Sequence, residues 1–274
     1  MALKLGLIGY RNHAQRLIDI IDSNPNVNLK CIYHPTKKSD ASLFTNNFND
    51  LFECDAVIIS SPNQTHFNYL QKLHEYNGYI YCEKPPVSSN SELIELKKFS
   101  NTRISKTYFN FNHRFSSFSN VLKNSSLIEK LGIINHINII SSHGLAFKDE
   151  YTSSWRADGK KNLHNILETV TVHYLDLLNY HFGNIKVKSY TPKLISKNGS
   201  SFDSCHLSLY LNSDISVSIF NSYATPIINE ITVIGTNGIL EIRNNELLIR
   251  NPRDTFDCII RYCGVRRNVS FCRS

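Results

Sequence analysis

No apolar run in the 274 residues reaches the roughly 18–20 positions that a membrane-spanning helix needs, so neither a membrane span nor a membrane partner is expected. There is no CxxC pair, and no Cys/His group has metal-ligand spacing, so no metal site is expected. The seven cysteines (Cys31, Cys54, Cys82, Cys205, Cys258, Cys263, Cys272) are odd in number and scattered, unlike a secreted disulfide framework. A reducing cytoplasm is the expected setting, with Cys31, Cys54 and Cys82 as small buried hydrophobes. Glycine (11) and proline (8) are sparse and 41% of residues are hydrophobic, which excludes fibrous and disordered classes and allows a sizeable core. No basic stripe or tail accounts for the net charge of +7. Its largest local excess, Arg261, Arg266, Arg267 and Arg273, reads as solvated surface. Nucleic-acid binding has only that bulk charge in its favour and no motif, so it is not expected. A phosphate-bearing small ligand explains the remaining charge more economically. The segment Met1–Gly9 is too short and too soon broken by glycine for a signal peptide and reads as a first strand.

What is present falls into two patterns. The first third alternates strands with helices: Leu3 to Ile8, a helix over 13–23, Val27 to Tyr33, Ala56 to Ile59, a helix over 65–76, and Tyr79 to Cys82. Strands separated by helices of this length imply right-handed βαβ units and a parallel sheet. After about residue 116 the pattern changes. A helix is expected over 117–130, a strand over Ile133 to Ser141 and a long helix over 162–181. Strands then follow at 185–196, 204–211, 214–222, 228–235, 238–243 and 246–250, punctuated by Asn198-Gly199, Asn212-Ser213-Asp214 and Asn237-Gly238, which is hairpin chemistry. The expected organisation is α/β: a dinucleotide-binding parallel-sheet domain over 1–116, then an α+β domain over 117–274 with a mostly antiparallel, open-faced sheet.

Gly9-Tyr10-Arg11-Asn12-His13-Ala14 follows a strand and opens a helix, the setting of a G-x-G-x-x-G/A dinucleotide turn. Backbone N–H groups and a helix N-terminus would face the pyrophosphate. Gly9 and Ala14 suit the first and third places, whereas Arg11 occupies the second, where it either contacts phosphate or obstructs it. A plain βα turn is the competing reading. The second strand ends Tyr33-His34-Pro35-Thr36-Lys37-Lys38, with no carboxylate for ribose hydroxyls and two lysines close by. His34, Lys37 and Lys38 therefore favour NADP over NAD, against the alternative of an exposed basic loop.

The segment Cys54-Asp55-Ala56-Val57-Ile58-Ile59-Ser60-Ser61-Pro62-Asn63-Gln64-Thr65-His66, followed by Cys82-Glu83-Lys84-Pro85-Pro86, resembles the Gfo/Idh/MocA family, which contains glucose-fructose oxidoreductase and inositol dehydrogenase. That family shows a D-A-V strand, a T/S-P-N-x-x-H turn, a helix, a strand and then E-K-P. Further matches are Asn112-His113-Arg114-Phe115, Leu131-Gly132, Trp155-Arg156, His173-Tyr174-Leu175-Asp176, Ser222-Tyr223, Ile234-Gly235-Thr236-Asn237-Gly238 and Leu240-Glu241. The resemblance covers nearly the whole chain. It implies a Rossmann domain plus an open-faced sheet, a homo-oligomer formed through that sheet, and oxidation or reduction of hydroxyl carbons on a sugar, cyclitol or nucleotide sugar. It also implies cofactor contacts from Ser61, Pro62, Asn63, His66, Glu83 and Lys84, and substrate contacts from Asn112, Arg114, Trp155, Arg156 and His173.

Hydride transfer from a carbinol needs a nicotinamide face, a group to take the hydroxyl proton and a cation near the developing alkoxide. Lys84 lies just past a parallel strand's C-terminal end, where open α/β sheets bind ligands; the alternative is a surface lysine in a proline-bounded turn. One of the proline bonds at Pro85 and Pro86 is a candidate for the cis form. His173 is the candidate acid/base, against a satisfied half-buried histidine. Asn165, Thr169, His173 and Asp176 share a helical face. In the family the residue four before this histidine is commonly Asp; here it is Thr169, which supplies no countercharge. Asp176 reads as structural, through packing or an arginine partner. The expectation is that Lys84 and His173 meet across a cleft between the domains. The alternative is a non-catalytic relative that binds nucleotide or sugar.

Overall fold

The computed structural model describes residues 2–10, 12–36, 43–212, 214–243 and 246–250. Arg11, Lys37 and Lys38, together with the arginine-rich segment and Cys258, Cys263 and Cys272, lie outside the described residues. The chain divides into two compact units, Met1–Phe111 and Asn112–Ser274.

In the first unit, six parallel strands run β1 (Leu3–Ile8), β2 (Val27–Tyr33), β3 (Phe44–Thr45), β4 (Ala56–Ile59), β5 (Tyr79–Cys82) and β6 (Thr107–Phe109), in the spatial order β3-β2-β1-β4-β5-β6. Every described pairing in this sheet is parallel. Helices α1 (Asn12–Asp22), α2 (His66–Lys72), α3 (Asn90–Leu96) and α4 (Asn101–Ser105) occupy the connections. Alternate residues serve opposite faces, as the strand period requires. Leu7 and Ile32 pack with Ala14, Ile18 and Ile21 of α1. Ile8, Tyr33 and Ile59 pack with Phe67, Leu70 and Leu73. With both faces covered, the strands read as continuous apolar runs. Each such aliphatic side chain contributes about 1.5–3 kcal/mol on burial.

The second unit carries a seven-stranded sheet: β7 (Ile134–Ser142), β8 (Ile185–Lys193), β9 (Ser204–Leu211), β10 (Ile215–Ser222), β11 (Ile228–Gly235), β12 (Ile239–Arg243) and β13 (Glu246–Arg250). Its order is β13-β12-β11-β7-β10-β9-β8, antiparallel except where β10 runs parallel to β7. Ile137, Ile139, Leu207, Leu209, Val217, Ile219, Ile231 and Val233 form one inward face. Helices α5 (Ser117–Lys123), α6 (Ser125–Leu131) and α7 (Val172–Phe182) contribute Phe118, Leu131, Tyr174 and Leu178 to the same core.

Three helix expectations need adjustment. The helix expected over 117–130 is two, because Asn124 leaves helical geometry (φ −86°, ψ 97°) and its side chain caps the second by accepting from Leu127 N. The helix expected over 65–76 ends at Lys72. The one expected over 162–181 includes a π-helical stretch, Leu167–Thr171, before α7. There the Val172 N–H reaches back five residues to the Leu167 carbonyl. The Thr169 hydroxyl donates to the Asn165 carbonyl at 2.6 Å, a side-chain insertion of the kind that disturbs an α ladder.

Candidate functional site

The strand order of the first sheet reverses between β1 and β4, and open α/β sheets bind ligands at the carboxyl ends flanking such a point. Gly9 stands just past β1 with φ +103°, in the left-handed region. A Cβ there would lie 2.6 Å from the Ser60 carbonyl oxygen, so any side chain would collide with backbone. Ala14 is fully buried in the α1–sheet contact, the role of the third fingerprint position. Asn12 opens α1. The Tyr10 ring packs edge-to-face on Phe44, with centroids 4.7 Å apart. His34 accepts from Thr36 N through Nδ1 at 3.4 Å, closing the turn after β2.

Across the reversal, the turn after β4 is held from within. Thr65 Oγ1 lies 2.7 Å from both Ser61 Oγ and the Pro62 carbonyl. Ser60 Oγ and Asn63 Nδ2 are buried and have no hydrogen-bond partner among the described residues. Two orphaned polar groups beside a glycine that admits no side chain fit a polar ligand running past this edge.

His66, 1% exposed, ties this turn to the next. Its Nδ1 is 2.7 Å from the Pro85 carbonyl and its Nε2 is 2.8 Å from the Ser61 carbonyl. Burial holds the imidazole below its ordinary pKa, while the two carbonyls pull the other way. A neutral ring donates to only one of them. His66 is thus a buckle between two loops. Pro85 follows a cis Lys84–Pro85 bond, so the buckle fixes the turn carrying the half-buried Lys84.

Glu83, next to Lys84, sits among donors. Its Oε1 accepts from His13 Nε2 at 2.8 Å, Asn110 Nδ2 at 2.9 Å and Tyr81 OH at 3.2 Å. Burial alone would raise its pKa; hydrogen bonds from His13 and Asn110 outweigh it and hold the carboxyl below the ordinary range. Seven of the expected residues thus converge at one edge: Gly9, His13, Ser61, Asn63, His66, Glu83 and Lys84. Ser60 and Asn110 join them and were not foreseen.

In the second unit, His173 is half-buried on α7 and stacks on His113, ring centroids 4.4 Å apart and 22° between planes. His113 also meets Tyr174 edge-on at 5.0 Å. Arg114, in the same Asn112–Phe115 turn, makes a two-pronged contact with Asp176: Nε to Oδ2 at 2.7 Å and Nη2 to Oδ1 at 2.5 Å. That gives Asp176 its arginine partner and commits Arg114 to holding the turn on α7. Thr169 is buried, with its hydroxyl 2.6 Å from Tyr223 OH as well as bonded to the Asn165 carbonyl. Burial raises the Tyr223 pKa, with Thr169 and Arg156 acting against it through hydrogen bonds. Arg156 also lies over the Trp155 ring, 4.5 Å from its centroid. Asn165 is fully buried, with the Tyr151 hydroxyl as its side-chain hydrogen-bonding neighbour. His113 and Tyr223, which touch the expected residues His173 and Thr169, were not singled out as candidates, although the motifs around them pointed to their vicinity.

With this geometry in hand, comparison with known proteins is decisive for kinship. The profile of the Gfo/Idh/MocA oxidoreductase family, NAD-binding Rossmann fold, matches residues 3–109, and that of the family's C-terminal domain matches residues 126–241. The chain belongs to the Gfo/Idh/MocA family. Glucose-6-phosphate 3-dehydrogenase of Bacillus subtilis (strain 168) is 25% identical over 188 residues, 65% of this chain and 53% of that protein. Inositol 2-dehydrogenase of Rhizobium meliloti (strain 1021) is 26% identical over 149 residues, 53% of this chain and 42% of that one. The chain therefore matches about half the length of these Gfo/Idh/MocA relatives. An oxidoreductase from Agrobacterium radiobacter, solved in complex with NAD+, L-tartaric acid and magnesium, superposes with a TM-score of 0.78 at 17% identity, covering 92% of this chain and 78% of that one. The fold is thus shared at low identity. Among the described residues no helix is long and apolar enough to cross a membrane, and no cluster of three or more His, Cys, Asp or Glu could hold a metal ion.

Proposed function

We propose that this chain is a nicotinamide-dependent oxidoreductase that moves hydride between its cofactor and a hydroxyl or keto carbon of a sugar, cyclitol or nucleotide sugar, with NADP(H) preferred over NAD(H). One observation carries the reading. At the edge where Gly9 admits no side chain, the orphaned Ser60 and Asn63 groups adjoin a lysine turn held by His66. The relatives' names, a sugar phosphate dehydrogenase and a cyclitol dehydrogenase, support the substrate class.

The nicotinamide, when bound, supplies or accepts the hydride. Gly9, Tyr10, Asn12 and the first turn of α1 offer backbone N–H groups to the diphosphate. Ser61, Pro62 and Asn63 line the path on the β4 side. The second strand ends without a carboxylate, and His34, Lys37 and Lys38 supply positive character for a 2′-phosphate. Glu83 and His66 position Lys84, whose ammonium steadies negative charge on the reacting oxygen. His173 exchanges the hydroxyl proton, and His113 keeps its ring plane fixed by stacking. Thr169 positions the turn preceding His173 through Tyr223. Asn112, Trp155 and Arg156 give a hydroxyl-rich substrate its hydrogen bonds. No observation favours the non-catalytic alternative.

The test is a fluorescence titration of the full chain with NADPH and NADH, followed by a turnover screen over sugars, cyclitols and nucleotide sugars. Expected are saturable NADPH binding and turnover that falls by about 10²–10⁴ in His173→Ala. Absence of binding by either dinucleotide would end the proposal.

A further inference from the structure

At the opposite edge of the first sheet, Arg103 of α4 is only 4% exposed. Its Nε donates to Thr107 Oγ1 at 3.4 Å, Nη1 donates to the Tyr76 carbonyl, and Nη2 donates to the carbonyls of Gly78 at 2.8 Å and Lys106 at 3.1 Å. All four acceptors are neutral. Among the described residues no carboxylate lies within ion-pair distance of it. Desolvation accordingly pulls its pKa below the ordinary arginine value. Buried charges in proteins are normally paired, because neutral hydrogen bonds replace hydration only in part.

Arg103 forms part of the wall of a cavity of about 400 Å³, a size within the usual range for small-ligand sites. Lys106, Lys98 and His74 line it too, and Glu75 is the one carboxylate among the lining residues. The Glu75 side chain is 84% exposed and pairs outward with His74 Nε2 at 3.5 Å. Lys98 is met by Glu95 at 2.6 Å, and Lys106 Nζ rests on the Asn77 carbonyl at 2.8 Å. Counting Lys98 against Glu95, and Glu75 against one cation, the wall keeps a positive excess, with its most deeply buried member uncompensated.

We propose that this cavity is an anion site for a phosphate-sized oxyanion, free or as the monoester of a small metabolite, with Arg103 as the fixed charge and Lys106 and Lys98 as its mobile arms. It is separate from the dinucleotide edge. Tyr79 and Thr107 begin β5 and β6 here, whereas Glu83 and Asn110 follow the other ends of the same strands, roughly 13 Å away for a four-residue strand. The carbonyls that Arg103 clamps belong to the connections entering β5 and β6, so occupancy steadies both strands from below. The inference does not depend on the oxidoreductase reading.

The experiment uses the full chain in phosphate-free chloride buffer. Thermal midpoint and calorimetric heat are followed during titration with inorganic phosphate and, separately, with glycerol 3-phosphate, against sodium chloride at matched ionic strength. The expected result is a saturable rise in midpoint with phosphate at millimolar concentration that chloride does not reproduce. Tighter binding of glycerol 3-phosphate identifies a monoester as the ligand, and equal binding identifies free phosphate. Arg103→Lys tests the fixed charge directly but removes clamps needed for folding. Lys98→Ala with Lys106→Ala, both on the cavity rim, is therefore the deciding variant. It should fold and bind phosphate at least about tenfold more weakly, the loss expected for a charge-assisted hydrogen bond. No saturable response to either anion, or the same affinity in the double variant, overturns the proposal.

Discussion

His13, in the first turn of α1, and Glu83, just past β5, stand 2.8 Å apart, imidazole nitrogen to carboxylate oxygen. The pair joins the glycine turn to the lysine turn across two strands of the same sheet. The His13 side chain is 52% exposed, so solvent screens the attraction. Glu83→Gln keeps the Asn110 and Tyr81 groups within reach but removes the charge. The expected loss is about 0.5–1 kcal/mol of stability, read by urea denaturation, together with weaker dinucleotide binding. An unchanged midpoint and unchanged affinity would reduce the pair to a surface contact.

Stability should fall on acidification in two stages. Burial depresses the pKa values of His66, His143 and His181 below 6.5 in the folded chain. As pH drops below about 6.5 the unfolded chain takes up these protons first, so stability present above that value is lost as pH falls through the depressed folded values. Glu83 is also depressed, from 4.5, so its contribution is present above that value and is lost as pH falls further. Thermal midpoints measured from pH 8 to pH 3 check this, and His66→Gln should flatten the first stage. A midpoint rising between pH 7 and pH 5 would contradict the assignment.

Thr169→Val is nearly isosteric but removes one hydrogen bond of the buried Tyr223 hydroxyl, leaving it the Arg156 contact. Losing one hydrogen bond there costs about 0.5–1.5 kcal/mol. The measurement is the denaturation midpoint of the variant beside that of Thr169→Ser, which should retain most of the stability. A loss in Thr169→Ser as large as in Thr169→Val would show that keeping the hydroxyl does not protect the structure and would refute the assignment.

Lys37→Ala with Lys38→Ala tests cofactor preference. If these side chains meet a 2′-phosphate, NADPH affinity drops by about 1.5–3 kcal/mol per lost charge-assisted bond while NADH affinity stays level. Equal NADPH and NADH affinities in the parent chain would refute the preference before any variant is made.

Much of the strand layout was legible in the sequence. The strands at Leu3–Ile8, Val27–Tyr33, Ala56–Ile59, Tyr79–Cys82, Ser204–Leu211, Ile228–Gly235 and Glu246–Arg250 match expectation residue for residue, because each is an apolar or alternating run bounded by breakers. The two-residue and three-residue strands Phe44–Thr45 and Thr107–Phe109 escaped, being too short to show a period. The lysine turn was legible from its motif. The contacts that position it were not: Asn110 reaches Glu83 across 27 residues, and Tyr223 reaches Thr169 across 54. Tertiary pairing at such separations leaves no local signature. His66 stood out in the sequence as a candidate, and both of its nitrogens address backbone carbonyls, so in the structure it ties the two loops together.

The π-helical stretch at Leu167–Thr171 sets the angular phase of everything downstream on α7. An α-helix advances 100° per residue, and a single-turn π stretch holds one residue more than the α ladder would need. Removing one residue from 167–171 would let the ladder close and would swing the His173 ring about 100° around the helix axis relative to Asn165. The His113 stack and the Arg114–Asp176 fork would then face the wrong side of α7. In this chain the direction of His173 is therefore encoded by residue count as much as by residue type. A one-residue deletion in that turn would be more damaging to the site than most substitutions within it.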